Sequence, residues 1–505
     1  MNPSKQKAYT SMYYERQKHT PLFTGLLKHA ERETQQFHIP GHKRGSGMDP
    51  DFRDFLGYNV LSIDQINIEP LDDLHHPHGI IDEAQKLAAE AFGAEHTFFS
   101  VQGTSGAIMT MIMTACHPGD KIIVPRNVHK SIMSAIVFSG ARPIFIHPEL
   151  DEHLGISHGI TVQAVERALH VHPDAKGLLV INPTYFGISA NITEIVKVAH
   201  SYDVPVLVDE AHGVHIHFHD DLPSSAMQAG ADMAATSVHK LGGSLTQSSV
   251  LNIQGKRVGA ERVQTIISML TTTSTSYILL ASLDTARRFL AMEGATELDK
   301  VINLSNYARN ALNEIEGIHC PGNEMIDHRA RFDYDPTKLI ISISELNVNG
   351  YKVEKWLREN ENLEVELSDL YNILCILTIG DSQKTVDDLL SAISRMADHF
   401  RSIDSNSNSP YAVQVPNIPT LALSPREAFY ADTEVVRLEN AAGRISAEFI
   451  MIYPPGIPIF IPGEIIEMDN IEYIFRNMDA GLPVQGTEDP TVRTIRVIQE
   501  RRAIF

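Results

Sequence analysis

Short apolar runs alternate with amphipathic stretches in the middle of the chain, between about residue 95 and residue 255. Each run is followed by turn residues and then by a segment with helical periodicity. This rhythm predicts an α/β fold with a mostly parallel sheet covered by helices. Ligands of such sheets bind at the carboxyl ends of the strands. The runs are Thr97–Ser100, Lys121–Val124, Pro143–Ile146, Gly177–Ile181 and Pro205–Val208.

The remainder of the chain indicates additional domains. A long helical pattern from about residue 280 leads to strand-like runs at 338–343, 363–367 and 374–378, then to a helical stretch at 385–401. The polar segment 402–409 lacks core-forming residues and is typical of a solvated linker. We predict an N-terminal arm and dimerisation segment (1–70), a large domain (71–300), a smaller α/β domain (301–400), a linker (401–409) and a C-terminal α+β domain (410–505).

Composition excludes several classes of protein. The chain has 505 residues, with 42 Lys and Arg against 63 Asp and Glu, and the net charge of −21 disfavours nucleic acid as a partner. Cys116, Cys320 and Cys375 are too few and too widely spaced for a disulfide framework, which suits a reducing cytoplasm. Every apolar stretch is far shorter than the roughly 20 residues that cross a bilayer, so no membrane association is expected.

The strongest candidate chemistry is in Ser237-Val-His-Lys240. A lysine that closely follows a strand, among small polar residues and glycines, can form a Schiff base with a carbonyl cofactor. Asp209 ends the apolar run before it, where a carboxylate could keep the pyridine nitrogen of pyridoxal phosphate protonated. Taken alone, Lys240 is most simply a surface charge and Asp209 a strand-end helix cap.

Two further segments have the same double interpretation. Gly103-Thr-Ser-Gly106 precedes a predicted helix, where backbone N–H groups and hydroxyls can bind a phosphate, although such a tetrapeptide is also an ordinary turn. His129 follows another apolar run, and its ring could stack on a cofactor or be a partly buried structural histidine. The order of glycine-hydroxyl turn, histidine, aspartate and Ser-x-His-Lys is much harder to produce by chance than any one member.

With these motifs, the sequence resembles the Orn/Lys/Arg decarboxylases of fold type I, which use pyridoxal phosphate, and within them the short Bacillus-type arginine decarboxylases. The resemblance covers nearly the whole chain. The motifs that carry it are His38–Gly45, Phe99–Gly106, Arg126–Ser131, Val208–Gly213, Ser237–Lys240, Pro454–Pro458 and Pro462–Glu464.

The resemblance implies an aspartate aminotransferase-like large domain that binds pyridoxal phosphate, with a C-terminal decarboxylase domain. It makes Lys240 the Schiff-base lysine, Asp209 the partner of the pyridine nitrogen and His129 the stacking residue. Lys240 or His239 would return a proton to the product, so the expected catalytic residues are Lys240, His239 and Asp209. The other expected cofactor-binding residues are Gly103, Thr104, Ser105, Ser237, His212 and His239.

The implied reaction is decarboxylation of L-arginine to agmatine and CO2, for polyamine and spermidine biosynthesis in the cytoplasm. Lysine or ornithine as substrate remains an alternative. Two carboxylates are candidates for binding the substrate side chain: Glu464, and Asp73 of the pair Asp72-Asp73. The alternative for both is a structural role in a helix cap or a turn. The segment Thr271–Tyr277 resembles a loop that reaches a neighbouring active site, which implies a homodimer with shared sites.

A metallohydrolase is the alternative from another enzyme class. His212, His215, His217 and His219 lie close together, and the last three alternate, so on a strand they would share one face. The nearby carboxylates complete no known zinc signature, and the alternation also suits a half-buried strand or loop. We therefore expect no metal.

Overall fold

The computed structural model describes residues 11–32, 34–346, 348–402, 417–452, 457–479 and 484–500. Several predictions fall partly outside these residues, among them the C-terminal domain at 410–416, 453–456, 480–483 and 501–505. The predicted arm is outside at 1–10, the predicted linker is outside from residue 403 onwards, and the motif Pro454–Pro458 is outside at 454–456.

Side-chain caps mark the start of several helices. Ser382 and Ser424 each form a capping box, with Thr385 and Glu427, which satisfies N–H groups that have no partner within the helix. Residues 11–17 are also helical. The helices are α1 (Pro21–Ala30), α2 (Pro50–Ile63), α3 (Ile80–Ala91), α4 (Gly103–Ala115), α5 (Lys130–Ser139), α6 (Val162–Val171), α7 (Ile192–Ser201), α8 (Val238–Leu241), α9 (Ala260–Leu270), α10 (Tyr277–Asn313), α11 (Gly350–Glu361), α12 (Gln383–Arg401), α13 (Pro425–Tyr430) and α14 (Met468–Asp479).

All five apolar runs of the middle region contain a strand, as predicted. The prediction of a strand at 363–367 is wrong for all but its last residue, because α11 ends at the left-handed residue Asn362 and a loop follows. The strands are β1 (His96–Ser100), β2 (Lys121–Pro125), β3 (Arg142–Ile146), β4 (Leu150–Asp151), β5 (Ile156–Ser157), β6 (Gly177–Ile181), β7 (Ile188–Ser189), β8 (Val206–Asp209), β9 (Met233–Thr236), β10 (Ser249–Ile253), β11 (Asp333–Tyr334), β12 (Lys338–Ser342), β13 (Leu367–Ser368), β14 (Asn372–Ile376), β15 (Thr433–Arg437), β16 (Ile450–Ile452), β17 (Ile457–Phe460), β18 (Val484–Gln485) and β19 (Thr494–Ile498).

One compact unit consists of the described residues within 1–115 and 205–300. In it, β8 pairs with β9 in parallel, while β10 pairs antiparallel with both β9 and β1. Every residue of β8, β9 and β10 is buried, and α4 packs against β9 and β10. Because β8 and β9 are parallel, the residues that end them, Asp209 and Thr236, lie at the same edge.

The second compact unit consists of the described residues within 116–204 and 301–505. Here β2 pairs in parallel with β3 and with β6. The sheet β12–β14–β13 packs with α11 and α12 in a hydrophobic core that includes Leu339, Ile373 and Met396. A separate core, which includes Phe460, Ile474 and Val497, underlies the C-terminal strands.

Within the described ranges, no helix is both long enough and apolar enough to cross a membrane.

Candidate active site

Lys240 lies in α8, which begins directly after the buried strand β9. Its side chain is exposed, and its Nζ lies 2.6 Å from Nε2 of His212. The turn after α8 requires glycine, since a Cβ on Gly242 would lie 2.8 Å from the carbonyl oxygen of Val238. The fold therefore brings two predicted motifs, Val208–Gly213 and Ser237–Lys240, into contact.

Asp209 is the last residue of β8 and is 6% exposed. Burial raises the pKa of Asp209 to about 6, although a hydrogen bond from the Ala211 N–H at 3.2 Å and the charge of Lys240 act in the opposite direction. A buried carboxylate of this kind is stabilised by a cationic partner. The site is therefore suited to a protonated ring nitrogen.

Glu210 was not identified from the sequence. It is 4% exposed, and its carboxylate accepts hydrogen bonds from the Ala226 N–H at 2.7 Å and the Thr236 hydroxyl at 3.1 Å. Burial, with a contribution from the charge of Asp209, raises the pKa of Glu210 to about 7. Glu210 thus ties the end of β8 to the end of β9, where the segment of Lys240 begins.

Three buried hydroxyl groups form a network at the start of α4. The Thr104 hydroxyl contacts the Ser237 hydroxyl and lies 2.7 Å from Oγ of Ser249. Gly103 has a φ of +68° and donates its N–H to the carbonyl of Gln247. Hydroxyls beside a helix N-terminus fit a phosphate, because unpaired N–H groups and the helix dipole favour an anion. Ser249 was not predicted, since its strand was not recognised.

Two predicted cofactor contacts flank this network. Ser105 lies in the first turn of α4 and is half-buried. Nδ1 of His239 lies 2.9 Å from the carbonyl oxygen of Ser248. Because a carbonyl only accepts hydrogen bonds, Nδ1 carries the proton and Nε2 is left as the basic nitrogen of the ring. His239 can therefore accept a proton at Nε2.

His129 belongs to the second unit, where it caps α5. Its Nδ1 accepts a hydrogen bond from the Ser131 N–H at 3.2 Å, and its side chain is exposed. The neighbouring Asn127 donates to the Ser157 hydroxyl at 3.1 Å. The stacking of His129 on the cofactor stays a prediction.

Glu464 is fully buried and already binds a guanidinium, that of Arg126. The two atom pairs Nη1–Oε1 and Nη2–Oε2 are separated by 2.6 and 2.8 Å. Both carboxylate oxygens are therefore occupied, and Oε2 accepts the N–H of Ile461 as well. Binding of the substrate by Glu464 stays a prediction, and it would require Arg126 to move away.

Asp72 and Asp73 contact backbone N–H groups around the start of α3. Asp72 accepts those of Gly79 and Ile81 at 2.8 and 2.9 Å. Burial acts to raise the pKa of Asp72, but these hydrogen bonds prevail and hold it below its usual value. Asp73 accepts the N–H of His75 at 2.9 Å. Substrate binding by Asp73 stays a prediction beside this turn-forming role.

The loop predicted to reach a neighbouring active site contacts the Asp72–Asp73 turn of its own chain. The Tyr277 hydroxyl donates to the carbonyl of Asp72 at 2.6 Å. The carbonyl of Thr272 lies 3.0 Å from Nε2 of His75. A role of this loop in a dimer stays a prediction.

The alternating histidines at 215–219 do not lie on a strand, which was one of the two structures considered for them. Residues Ile216–Phe218 form a 3₁₀ helix, so the side chains diverge. Nδ1 of His217 lies 2.9 Å from the Ser225 hydroxyl, and Nε2 of His219 lies 3.0 Å from Asp299. Within the described ranges, no three His, Cys, Asp or Glu side chains are grouped to hold a metal ion.

Two consecutive parts of the chain match the two domains of one protein family. Residues 20–385 match the major domain of the Orn/Lys/Arg decarboxylases, and residues 411–483 match their C-terminal domain. This chain belongs to the Orn/Lys/Arg decarboxylase family. The family prediction made from the motifs is thus confirmed.

Several members of the Orn/Lys/Arg decarboxylase family match along almost the whole chain. The arginine decarboxylase of Bacillus subtilis is 67% identical over 488 residues, which are 97% of this chain and 99% of that protein. The arginine decarboxylase of Halalkalibacterium halodurans is 68% identical over 490 residues, again 97% of this chain and 99% of that protein. The constitutive lysine decarboxylase of Escherichia coli is 25% identical, and the match covers 92% of this chain and 78% of that protein.

Solved structures of a lysine decarboxylase and of a serine palmitoyltransferase have a similar fold. Lysine decarboxylase A from Pseudomonas aeruginosa matches with a TM-score of 0.82 and 22% identity, over 98% of this chain and 82% of that one. Serine palmitoyltransferase from Sphingomonas wittichii matches with a TM-score of 0.54 and 18% identity, over 71% of this chain and 86% of that one. The predicted fold class, fold type I, is confirmed.

Proposed function

We propose that this chain is a pyridoxal phosphate-dependent arginine decarboxylase, which converts L-arginine to agmatine and CO2. The choice of arginine as the substrate rests on the 64–68% identity, over almost the full chain, to proteins named arginine decarboxylase. The wider family also includes lysine decarboxylases at 25–26% identity, so lysine or ornithine is the alternative substrate.

The residues around Lys240 fit pyridoxal phosphate. The amine of Lys240 would bond to its aldehyde, the Asp209 carboxylate would face its ring nitrogen, and the hydroxyls of Thr104 and Ser237 would face its phosphate. When bound, the cofactor withdraws the electron pair that is released as CO2 leaves.

The chain's own residues control the protons of the reaction. His212 Nε2, 2.6 Å from Lys240 Nζ, can share a proton with the amine, and an amine must be neutral to attack a carbonyl carbon. Asp209 would hold the ring nitrogen in its protonated form, because a buried carboxylate is stabilised by a cationic partner. After CO2 leaves, Lys240 or His239 returns a proton to the α-carbon.

The proposal extends to the setting of the enzyme. It acts on free basic amino acids, works as a homodimer in the cytoplasm and supplies agmatine for polyamine biosynthesis. The resemblance of Thr271–Tyr277 to a loop shared between subunits supports the dimer.

A competition assay tests the substrate. Purified chain and pyridoxal phosphate are incubated with equal amounts of arginine, lysine and ornithine, and the amines are separated by mass. We expect mainly agmatine; mainly cadaverine or putrescine would overturn the choice of arginine, and the absence of all three amines would overturn decarboxylation.

A pair of variants tests the lysine. Lys240→Ala should lose both turnover and the visible absorption that the cofactor acquires on bonding to a lysine. Lys256→Ala, at an exposed position after β10, should retain both. Unchanged absorption in Lys240→Ala would contradict the assignment.

A further inference from the structure

A buried ion pair joins two distant parts of the second unit. Arg126 and Glu464 are separated by 338 positions, and their side chains are 1% and 0% exposed. The guanidinium meets the carboxylate through two hydrogen bonds, as described above. A bidentate contact of this kind fixes the relative orientation of both planar groups as well as their distance.

The other donors of Arg126 bind the same C-terminal segment. Nε donates to the carbonyl of Pro458 at 3.1 Å, and Nη2 approaches the carbonyl of Ile459 at 3.4 Å. The guanidinium carbon lies 4.6 Å from the ring centre of Phe145, on β3. One arginine side chain therefore holds residues 458–464 against the end of the parallel sheet of this unit.

The same arginine begins the segment that carries His129. Its own N–H donates to the carbonyl of Ile146, and His129 then caps α5. The far end of α5 is held separately, because Arg426 donates to the carbonyls of Val137 and Phe138. Residues 126–129 thus form a short connection whose first residue is anchored to the C-terminal segment.

Stability alone does not explain this pair. Replacing a buried ion pair by well-packed apolar side chains is often neutral or stabilising, because burying the charges is costly. What two apolar side chains lack is the directional fork of the guanidinium. The pair is thus better suited to fixing a geometry than to adding stability.

We propose that Arg126 is a positioning residue, which together with Glu464 sets the conformation of residues 126–129 and thereby the orientation of His129. The consequence for catalysis rests on the proposed function and on the predicted stacking of His129 on the cofactor. The effect of the pair on the conformation of residues 126–129 does not depend on the proposed function. Glu464, on this view, orients the site through Arg126 instead of binding the substrate.

Three full-length variants test the proposal. Arg126→Lys keeps the charge but loses the fork, Glu464→Gln keeps the shape but loses the charge, and the double variant Arg126→Met with Glu464→Leu removes both charges. If an unpaired buried charge prevents the single variants from folding, the double variant still allows the proposal to be tested. Arg395→Met is the matched control, because Arg395 makes a bidentate but exposed contact with Glu361.

The first measurement is hydrogen–deuterium exchange of the peptide covering residues 126–139 without cofactor. We expect exchange in this peptide to be at least about tenfold faster in the Arg126 and Glu464 variants and unchanged in the control. If the double variant folds and exchanges at the wild-type rate in this peptide, the proposal is overturned.

The second measurement is steady-state kinetics with cofactor and arginine. Misplacing a group in an active site can lower the rate by up to about 100-fold, so kcat should fall while KM changes little. A rise confined to the KM for arginine would instead make Glu464 a substrate ligand and overturn the positioning role. If wild-type chain made no amine, the proposed function would fail, while the exchange result would still decide the conformational claim.

Discussion

Removing the charge of Asp284 is expected to release the N-terminal segment from helix α10. Asp284 and Arg287 form an ion pair in which Oδ1 and Nη2 are 2.6 Å apart and the side chains are 0% and 2% exposed. Burial raises the pKa of Asp284, and the charge of Arg287 only partly offsets this effect. Each of the two buried charges is therefore stabilised by the opposite charge of the other residue.

The pair fastens the segment that leads into α1. Oδ2 of Asp284 accepts the N–H groups of Leu22 and Phe23 at 3.0 and 3.2 Å. The guanidinium donates to the carbonyl oxygens of Gln17 at 2.8 Å and His19 at 2.6 Å. Loss of the carboxylate would remove the counter-charge and the acceptor for the first turn of α1 together.

The size of the effect follows from burial. Asp284→Asn keeps the shape of the side chain but leaves the guanidinium buried without a counter-charge, which costs about 3–5 kcal/mol. Glu297 and Lys300 provide the control, because they are on the same helix with the same spacing and a distance of 2.6 Å, but are 28% and 61% exposed. Glu297→Gln should cost no more than about 1 kcal/mol.

A local readout is required, because a chain of this length need not unfold in one step. Hydrogen–deuterium exchange in residues 17–30 should be at least about 100-fold faster in Asp284→Asn, since 1.4 kcal/mol corresponds to a factor of ten. Replacing both residues, as Asp284→Leu with Arg287→Met, removes the unpaired charge but also the backbone contacts, so exchange should be slower than in Asp284→Asn and still faster than in wild type. Exchange in this segment that is no faster in Asp284→Asn than in Glu297→Gln would refute the anchoring role of Asp284.

Two further predictions concern the candidate site. Ser249→Ala removes a partner of Thr104 and should weaken the binding of pyridoxal phosphate about fivefold, because a net hydrogen bond is worth about 1 kcal/mol; a fluorescence titration measures this, and equal weakening in Ser305→Ala, a buried serine outside the network, would contradict it. The pKa of Asp209, about 6 in the folded chain, exceeds its value of about 3.9 in an unfolded chain, so the cofactor-free protein loses stability as pH rises between about 4 and 6. Asp209→Asn should therefore be more stable than wild type above pH 6, by up to about 3 kcal/mol, and the difference should decrease towards pH 4 in denaturant titrations; a difference independent of pH would count against it.

Patterns that depend on local burial could be interpreted from the sequence. Strands such as β6 and β8 are covered on both faces, so they must be continuous apolar runs, and those runs are visible without a fold. The motifs around Lys240 and Asp209 could be recognised for a similar reason, since each is a short segment at a strand end. Their meeting at one edge then follows from the parallel pairing of β8 and β9.

The same local signal fails where apolar spacing has another cause. Leu363 and Val365 contact the core of the small sheet from a loop, so they mimic a strand without pairing as one. His217 and His219 alternate, yet a 3₁₀ turn directs them to separate partners. Apolar or alternating positions record which side chains are buried, and they do not record which backbone groups are paired.

The partners of buried polar groups were decided only by the tertiary structure. The contact of Thr104 with Ser249, and that of Arg126 with Glu464, join residues 145 and 338 positions apart. The sequence indicates that Glu464 is suited to a guanidinium, because carboxylate and guanidinium match in shape and charge. Which guanidinium it binds depends on the path of the chain between them, since a side chain's chemistry specifies the kind of partner and the fold determines which one lies within reach.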